Sequence, residues 1–196
     1  FTHFGIEDLA LVTSLPNFEI YTPCQPKDVT NMVSRFFKNE IIKHPIYLRL
    51  QKGGEKELSE IYYPLVEEEG FKYWEGEDIL ILTHGAITEE ALIVRKRLER
   101  SISVAVLSIL AWNNFSNLDI ISKHSNIIFL EENRYVGSFA SQIMKNHHIF
   151  KNKTCKILCV ENANFDKNIT RQYALRKNFI NAEGLEIIIN KIVNQN

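Results

Sequence analysis

The sequence has no excess of either charge, no apolar run of eighteen residues and only three cysteines, and each shortage removes a class of function. Basic side chains number 23 and acidic ones 24, a formal net charge of -1, so bulk electrostatics gives nothing that would draw nucleic acid or an anionic membrane surface. A membrane-spanning helix needs about 20 consecutive apolar residues, and no such stretch or signal-peptide pattern is visible in this sequence. An odd cysteine count without framework spacing does not describe a secreted disulfide scaffold. Cys155 and Cys159 stand four apart in KTCKILCV, so on a strand they point to one face yet lie too far apart to bridge. They are read as packing residues, and a reducing cytoplasm is the expected compartment. Repeats and low-complexity tracts are missing as well.

What remains is an ordinary globular composition, 45% hydrophobic and 24% charged over 196 residues, enough for one domain or two small ones. Charge is uneven locally: 55–78 is acidic and 145–177 is basic. Neither stretch interleaves its charges with aromatics in a regular way, so both read as solvated faces.

Hydrophobic periodicity predicts alternating elements. A helix over Ile6 to Ser14 leads through Pro16-Asn17 into a strand, FEIYTP, and Pro26 opens a helix to about Asn39. Proline is tolerated in a first turn, and Asp28 suits the helix dipole there. Val29, Val33, Phe36 and Phe37 should form its apolar face. PIYLRLQ is the next strand, ended by Gly53-Gly54. Residues 56–76, acidic with short apolar runs, are expected to be a linker lying partly on a domain surface. DILILTHG is apolar almost throughout, the mark of a strand buried on both faces. A helix from Thr88, strands in SISVAVLSI, NIIFLEEN and CKILCVEN, and helices in SNLDIISKH, VGSFASQIMKNH and Ala182 to Val193 complete the pattern. The fold class is α/β with mostly parallel sheet, in two units, 1–55 and 77–196. The first unit has too few strands to stand alone, and is expected to be the end of a domain whose front is missing from this chain.

THFGIEDLALVTSLPNFEIYTPCQPKDV resembles the transketolase family of thiamine-diphosphate-dependent enzymes, whose pyrimidine-binding domain carries a Thr-His-x-x-Ile-Glu-Asp helix. Further segments resemble that family in the same order. PIYLRLQKG is similar to the last strand of that domain, and DILILTHGAITEEAL to the start of the family's C-terminal domain. FLEENRYVGSFASQI is similar to its Glu-Glu…Gly-Gly-Phe-Gly segment, and the ending NITRQYALRKNFINAEGLEIIINKI to its tail. The likeness runs along nearly the whole chain. It implies a truncated pyrimidine-binding domain over 1–55, a linker over 56–76 and a C-terminal domain over 77–196. It also implies transfer of a two-carbon ketol unit between sugar phosphates, with thiamine diphosphate and Mg2+ as cofactors. The alternatives are an enzyme like 1-deoxyxylulose-5-phosphate synthase, one like the beta subunit of a 2-oxoacid dehydrogenase, or a non-catalytic module for dimerisation or regulation.

By the same resemblance, His3 is the catalytic and substrate-binding histidine; an imidazole can donate at one nitrogen and accept at the other near working pH. Lys52 stands where the family places a phosphate-binding arginine. It can neutralise a phosphate as a point charge but lacks the planar fork. Arg49, nearer the N-terminus and read as sharing the face of Lys52, is a second candidate. His84, at the end of an apolar strand, weighs more as structure than as ligand. Glu131 and Glu132 are adjacent, so on a strand they point to opposite faces and form no acid/base dyad. His147-His148 at a helix end lack a third metal ligand, and the turn Tyr135 to Ser138 is no phosphate loop by spacing. The glutamate that activates thiamine diphosphate and the Gly-Asp-Gly metal site have no match in the sequence. The chain alone is therefore expected to bind no cofactor or metal and to be inactive. Its expected partners are the N-terminal diphosphate- and pyrimidine-binding regions, on the same chain or another subunit, in a homodimer of the complete enzyme.

Overall fold

The structure is a computed structural model and describes residues 5–38, 43–58, 66–68, 70–113, 118–146, 148–161 and 170–194. In chain order the elements are α1 (Asp8–Thr13), β1 (Glu19–Tyr21), α2 (Pro26–Lys38), β2 (Ile46–Leu48), β3 (Val66–Glu68), β4 (Phe71–Trp74) and β5 (Ile79–His84). They continue with α3 (Thr88–Leu98), β6 (Val104–Ile109), α4 (Leu118–Ser122), β7 (Asn126–Leu130), α5 (Phe139–Asn146), β8 (Thr154–Leu158), α6 (Arg171–Lys177) and α7 (Ala182–Val193). The expected α/β class is what is found. β1 and β2 form a two-stranded parallel sheet, and the other strands form a six-stranded sheet in the order β3-β4-β6-β5-β7-β8. Pairing is parallel from β6 to β8, while β3 and β4 add an antiparallel edge.

Side chains alternate across this sheet with the period of two that a pleated strand imposes. Ile79, Ile81, Val104, Val106, Ile128 and Leu130 face one layer, where Ala91, Leu92 and Leu98 of α3 and Leu185 and Ile189 of α7 cover them. Leu80, Leu82, Ala105, Leu107, Ile127 and Phe129 face the other, under Phe139 and Ile143 of α5 and Ile121 of α4. With both faces covered, β5 and β6 are buried at every residue, which is why they read as unbroken apolar runs.

One expectation is corrected here. Part of the stretch read as a linker is sheet: β4 lies inside 56–76, is buried at all four positions and pairs with β6 from Phe71↔Ile109 to Trp74↔Val106. Its lysine and the glutamates around it disguised it. Lys72 is wholly buried, and its ammonium sits 2.6 Å from a carboxylate oxygen of Asp28 on α2. Asp28 therefore does more than meet a helix dipole. Its second oxygen accepts hydrogen bonds from the backbone N–H of Cys24 (3.0 Å) and Gln25 (3.2 Å) and from the Cys24 thiol (3.1 Å), in the manner of the acidic member of a capping box. The expected face of α2 holds in part: Val29, Val33 and Phe36 are half-buried beside the buried Asp28 and Met32, and Phe36 packs on Tyr21, but Phe37 is 85% exposed. Burial and the Asp28 carboxylate push the Cys24 thiol well above its ordinary range, so this cysteine stays a protonated packing residue.

The seam continues along the backbone. Thr22 N–H donates to Leu110 O (2.9 Å), Trp112 N–H to Ile20 O (3.0 Å) and Ile20 N–H to the Asn113 side chain (3.0 Å). Tyr21, Cys24 and Met32 pack with Leu110 and Ala111. The small parallel sheet is thus joined to the end of β6.

Removing one partner of a buried ion pair leaves the other charge uncompensated, at about 3–5 kcal/mol. Lys72→Met should lower the unfolding free energy by about that amount in urea titration with the m-value unchanged. A loss of under about 1 kcal/mol would mean that the pair does not hold the seam.

Candidate functional site

Chain order and strand order place a crevice. From β5 the chain crosses to β6 on one side and then to β7 on the other, and ligands in open α/β sheets bind at the carboxyl ends of such a switch point. Here β5 ends in His84 and β7 leads into Glu131. The two side chains meet, His84 Nε2 lying 3.1 Å from Glu131 Oε2, both 1% exposed. Glu131 also accepts hydrogen bonds from the backbone N–H of Phe139 and Ala140, each 2.8 Å, at the start of α5. A helix N-terminus favours an anion, and the chain supplies its own. The Trp112 ring stacks edge-on with His84 at 4.9 Å and with Phe139 at 5.3 Å, so side chains fill the crevice. His84 reads as structural on this geometry.

Glu132 turns the other way, although both glutamates lie just past the end of β7 rather than on a strand. It takes a bidentate pair from Arg171 on α6, at 2.5 and 2.6 Å. Burial works to lower the Arg171 pKa, but Glu132, helped by the charges of Glu90 and Glu89, raises the guanidinium above its ordinary value. With both carboxylates anchored, the loop between β7 and α5 is fixed, and α1 rests on it. Arg134 N–H donates to Ile6 O at 3.1 Å, and the Arg134 side chain pairs with Glu7 at 3.1 Å. Gly137 has φ +77°, and a Cβ there would lie 2.2 Å from Ala10 Cα. Sequence reading missed Arg134, Gly137 and Arg171. Gly137 was legible as the one glycine of its turn; the partners of the two arginines lie far away in sequence.

Arg49 completes the setting. Its guanidinium grips Asp8 (Nε to Oδ2, 2.7 Å) and donates to Gly5 O at 3.1 Å and Glu132 O at 3.5 Å; Tyr47 O–H donates to the same carboxylate at 2.8 Å. Lys52 lies three residues on, exposed, before Gly53 (φ +92°) and Gly54 (φ +85°). β2 ends at Leu48, so the expectation that Arg49 and Lys52 share a strand face does not hold. Arg49 turns inward to α1 and Lys52 faces solvent. His3 and His147 lie outside the described residues; His148 is exposed in a short 3-10 turn.

A thiamine diphosphate and Mg2+ site finds no fit among the described residues. No group of three or more metal-ligating side chains occurs there, and Glu131 already fills the anion position at α5. A cleft of about 170 Å³ between α3, α6 and α7 mixes Arg97 and Arg176 with Glu90 and Glu183, and this balance favours no anion. No helix of the described residues is long and apolar enough to cross a membrane.

Comparison with known proteins adds to this geometry. A family model described as the transketolase C-terminal domain matches residues 72–176, more than half of the chain. The 1-deoxy-D-xylulose-5-phosphate synthase of Chlamydia muridarum is 26% identical over 157 residues, which are 76% of this chain and 24% of that protein. The enzyme of the same name from Natranaerobius thermophilus is 25% identical over 206 residues, 99% of this chain and 31% of that protein. The chain thus spans a quarter to a third of the length of these relatives. Among solved structures, a split-gene transketolase, described as an inactive beta4 tetramer, aligns with a TM-score of 0.77 at 22% identity, over 97% of this chain and 62% of its own. Transketolase from Campylobacter jejuni aligns with a TM-score of 0.70 at 16% identity, over 95% and 28%.

Burial alone would raise the Asp8 carboxyl, but the Arg49 charge and the hydrogen bonds from Arg49 and Tyr47 hold it below its ordinary 3.8. A depressed folded-state value contributes stability above the unfolded value and loses it as pH falls through the folded one. Unfolding free energy should therefore decline below about pH 4, with a shallower decline in Asp8→Asn. Parallel acid limbs in urea titrations of the two proteins would show that Arg49 holds no ionised Asp8.

Proposed function

Because the chain belongs to the family of transketolase C-terminal domains, we propose that it is the C-terminal portion of a thiamine-diphosphate-dependent transferase that moves a two-carbon ketol unit between sugar phosphates. The observation that carries this reading is the seating of α1. α1, which the Thr2-His3 pair precedes in sequence, stands on the Glu131–Gly137 loop beside the end of β2, so the helix that resembles the family's pyrimidine-domain motif packs directly on the C-terminal domain. Thiamine diphosphate supplies the carbanion chemistry when bound, with Mg2+ on its diphosphate, and both are held by regions beyond this chain. His3 offers a donor and an acceptor to substrate oxygens, and Lys52 offers a positive charge to a substrate phosphate.

On this reading the chain is inactive alone and completes its site with N-terminal diphosphate- and pyrimidine-binding regions, in the same polypeptide or another subunit of a dimer. The description of one structural relative as a split-gene transketolase supports the second arrangement. The synthase relatives favour a second reading, the decarboxylating condensation that forms 1-deoxyxylulose 5-phosphate. Mixing the chain with a separately produced N-terminal half, and assaying both reactions, tests the proposal. Restored turnover in one assay identifies the reaction. A stable dimer indifferent to the added half would overturn the enzyme reading in favour of a non-catalytic module.

In the complete enzyme, Lys52→Ala should raise KM about tenfold for a phosphorylated substrate, the loss of one charged hydrogen bond, and far less for an unphosphorylated analogue. Equal effects on both substrates would remove Lys52 from the phosphate site. His3→Ala should lower turnover with cofactor binding unchanged, and unchanged turnover would return His3 to a packing role.

A further inference from the structure

We propose that the Glu131–Gly137 loop is a positioning element for α1, with Gly137 and the backbone N–H of Arg134 setting where that helix begins. The functional half of this inference rests on the proposed function, in which the Thr2-His3 pair ahead of α1 in sequence meets substrate. The structural half stands without it.

α1 has little of its own to hold it. It is six residues long, and Glu7 at its N-cap makes no side-chain capping bond; a helix this short is not stable in isolation. Its entry is clamped from two sides instead. Gly5 O accepts from the Arg49 guanidinium at 3.1 Å and Ile6 O from Arg134 N–H at 3.1 Å. The Ile6 side chain, 1% exposed, sits in the core with Trp74 and Ile79. One turn on, the helix backbone approaches Gly137 so closely that any side chain there would strike Ala10 Cα. The left-handed φ at Gly137 makes a substitution strained as well. The Arg134–Glu7 ion pair is nearly half exposed on both sides and adds little. Geometry therefore sets the helix, more than surface charge does.

The loop can do this because it does not move freely. Glu131 ties its first residue to α5 and His84, and Glu132 ties the next to Arg171. Two neighbouring carboxylates, pulled to opposite sides, hold the chain between them in place. A functional group is only as well placed as the shell behind it, and a misplacement of about 1 Å can cost on the order of 10²-fold in rate.

Hydrogen exchange of the 196-residue chain tests the structural half. Gly137→Ala should speed exchange at the hydrogen-bonded amides of residues 11–14 at least tenfold, while β5, β6 and β7 keep their protection. Ala10→Val, which crowds the same contact from the helix side, should do the same and serves if the first variant does not fold. Arg134→Ala, which keeps the backbone donor, should change exchange less than twofold. Unaltered exchange in α1, or equal loss across α1 and the sheet, would overturn the inference. In the complete enzyme the first two variants should lower kcat about tenfold or more, with the thiamine diphosphate dissociation constant unchanged. A loosened α1 with unaltered kcat would also overturn it. A complete enzyme without ketol transfer would count against the proposed function and leave the exchange result to decide the positioning.

Discussion

Taking an ammonium and a carboxylate out of water costs several kcal/mol per ion, and Lys72 and Asp28 are held at 0% and 2% exposure. The cost is met only while the two stay together and their remaining valences are filled, and the surrounding structure follows from that condition. Lys72 must sit on a strand buried on both faces, so β4 belongs to the large sheet. Asp28 must stand in the first turn of α2, where Cys24 and Gln25 complete its hydrogen bonds. α2 is thereby pinned to the large sheet, and β1 follows it to the end of β6. A hydrophobic contact would tolerate sliding at this seam, whereas a buried charge pair does not.

The same logic of satisfied carboxylates recurs at the switch point of the sheet. In many open α/β folds that crevice receives a ligand's anionic group at a helix N-terminus. Glu131 occupies the position here, between His84 and the first amides of α5, and Glu132 is spent on Arg171. The C-terminal domain has turned a place suited to binding into one that fixes a loop. On the proposed function its contribution to chemistry is indirect: it supplies the shelf on which the substrate-facing helix stands.

Periodicity carried far in this sequence where a single rule governed. β5 and β6, buried on both faces, read as apolar runs, and α7 was legible from Ala182 to Val193 at both ends. β4 was not, because a lysine among glutamates resembles a solvated stretch until its partner is known, and that partner lies more than forty residues away. α2 was found with its face nearly right, Val29, Val33 and Phe36 turning inward, but counting apolar residues added Phe37 and left out Asp28, which only the ion pair explains. α6 went unseen because seven residues with three basic side chains give little pattern. At the site, the different directions of Glu131 and Glu132 agree with the expectation, although its premise of a strand does not hold, since β7 ends at Leu130. The engagement of Arg49 by Asp8 was not legible, since nothing local links residues 41 positions apart.

The claim on which this account turns is that residues 19–38 and the six-stranded sheet are one structure joined at a charged seam. Native-state hydrogen exchange across a urea series measures it directly, by comparing the slowest amides of α2 with those of β5 and β6. The account predicts that both sets exchange through the same opening, with one free energy and one urea dependence. If α2 exchanges through a separate, lower-energy opening with a small urea dependence while the sheet stays protected, the seam does not join them and the account is wrong.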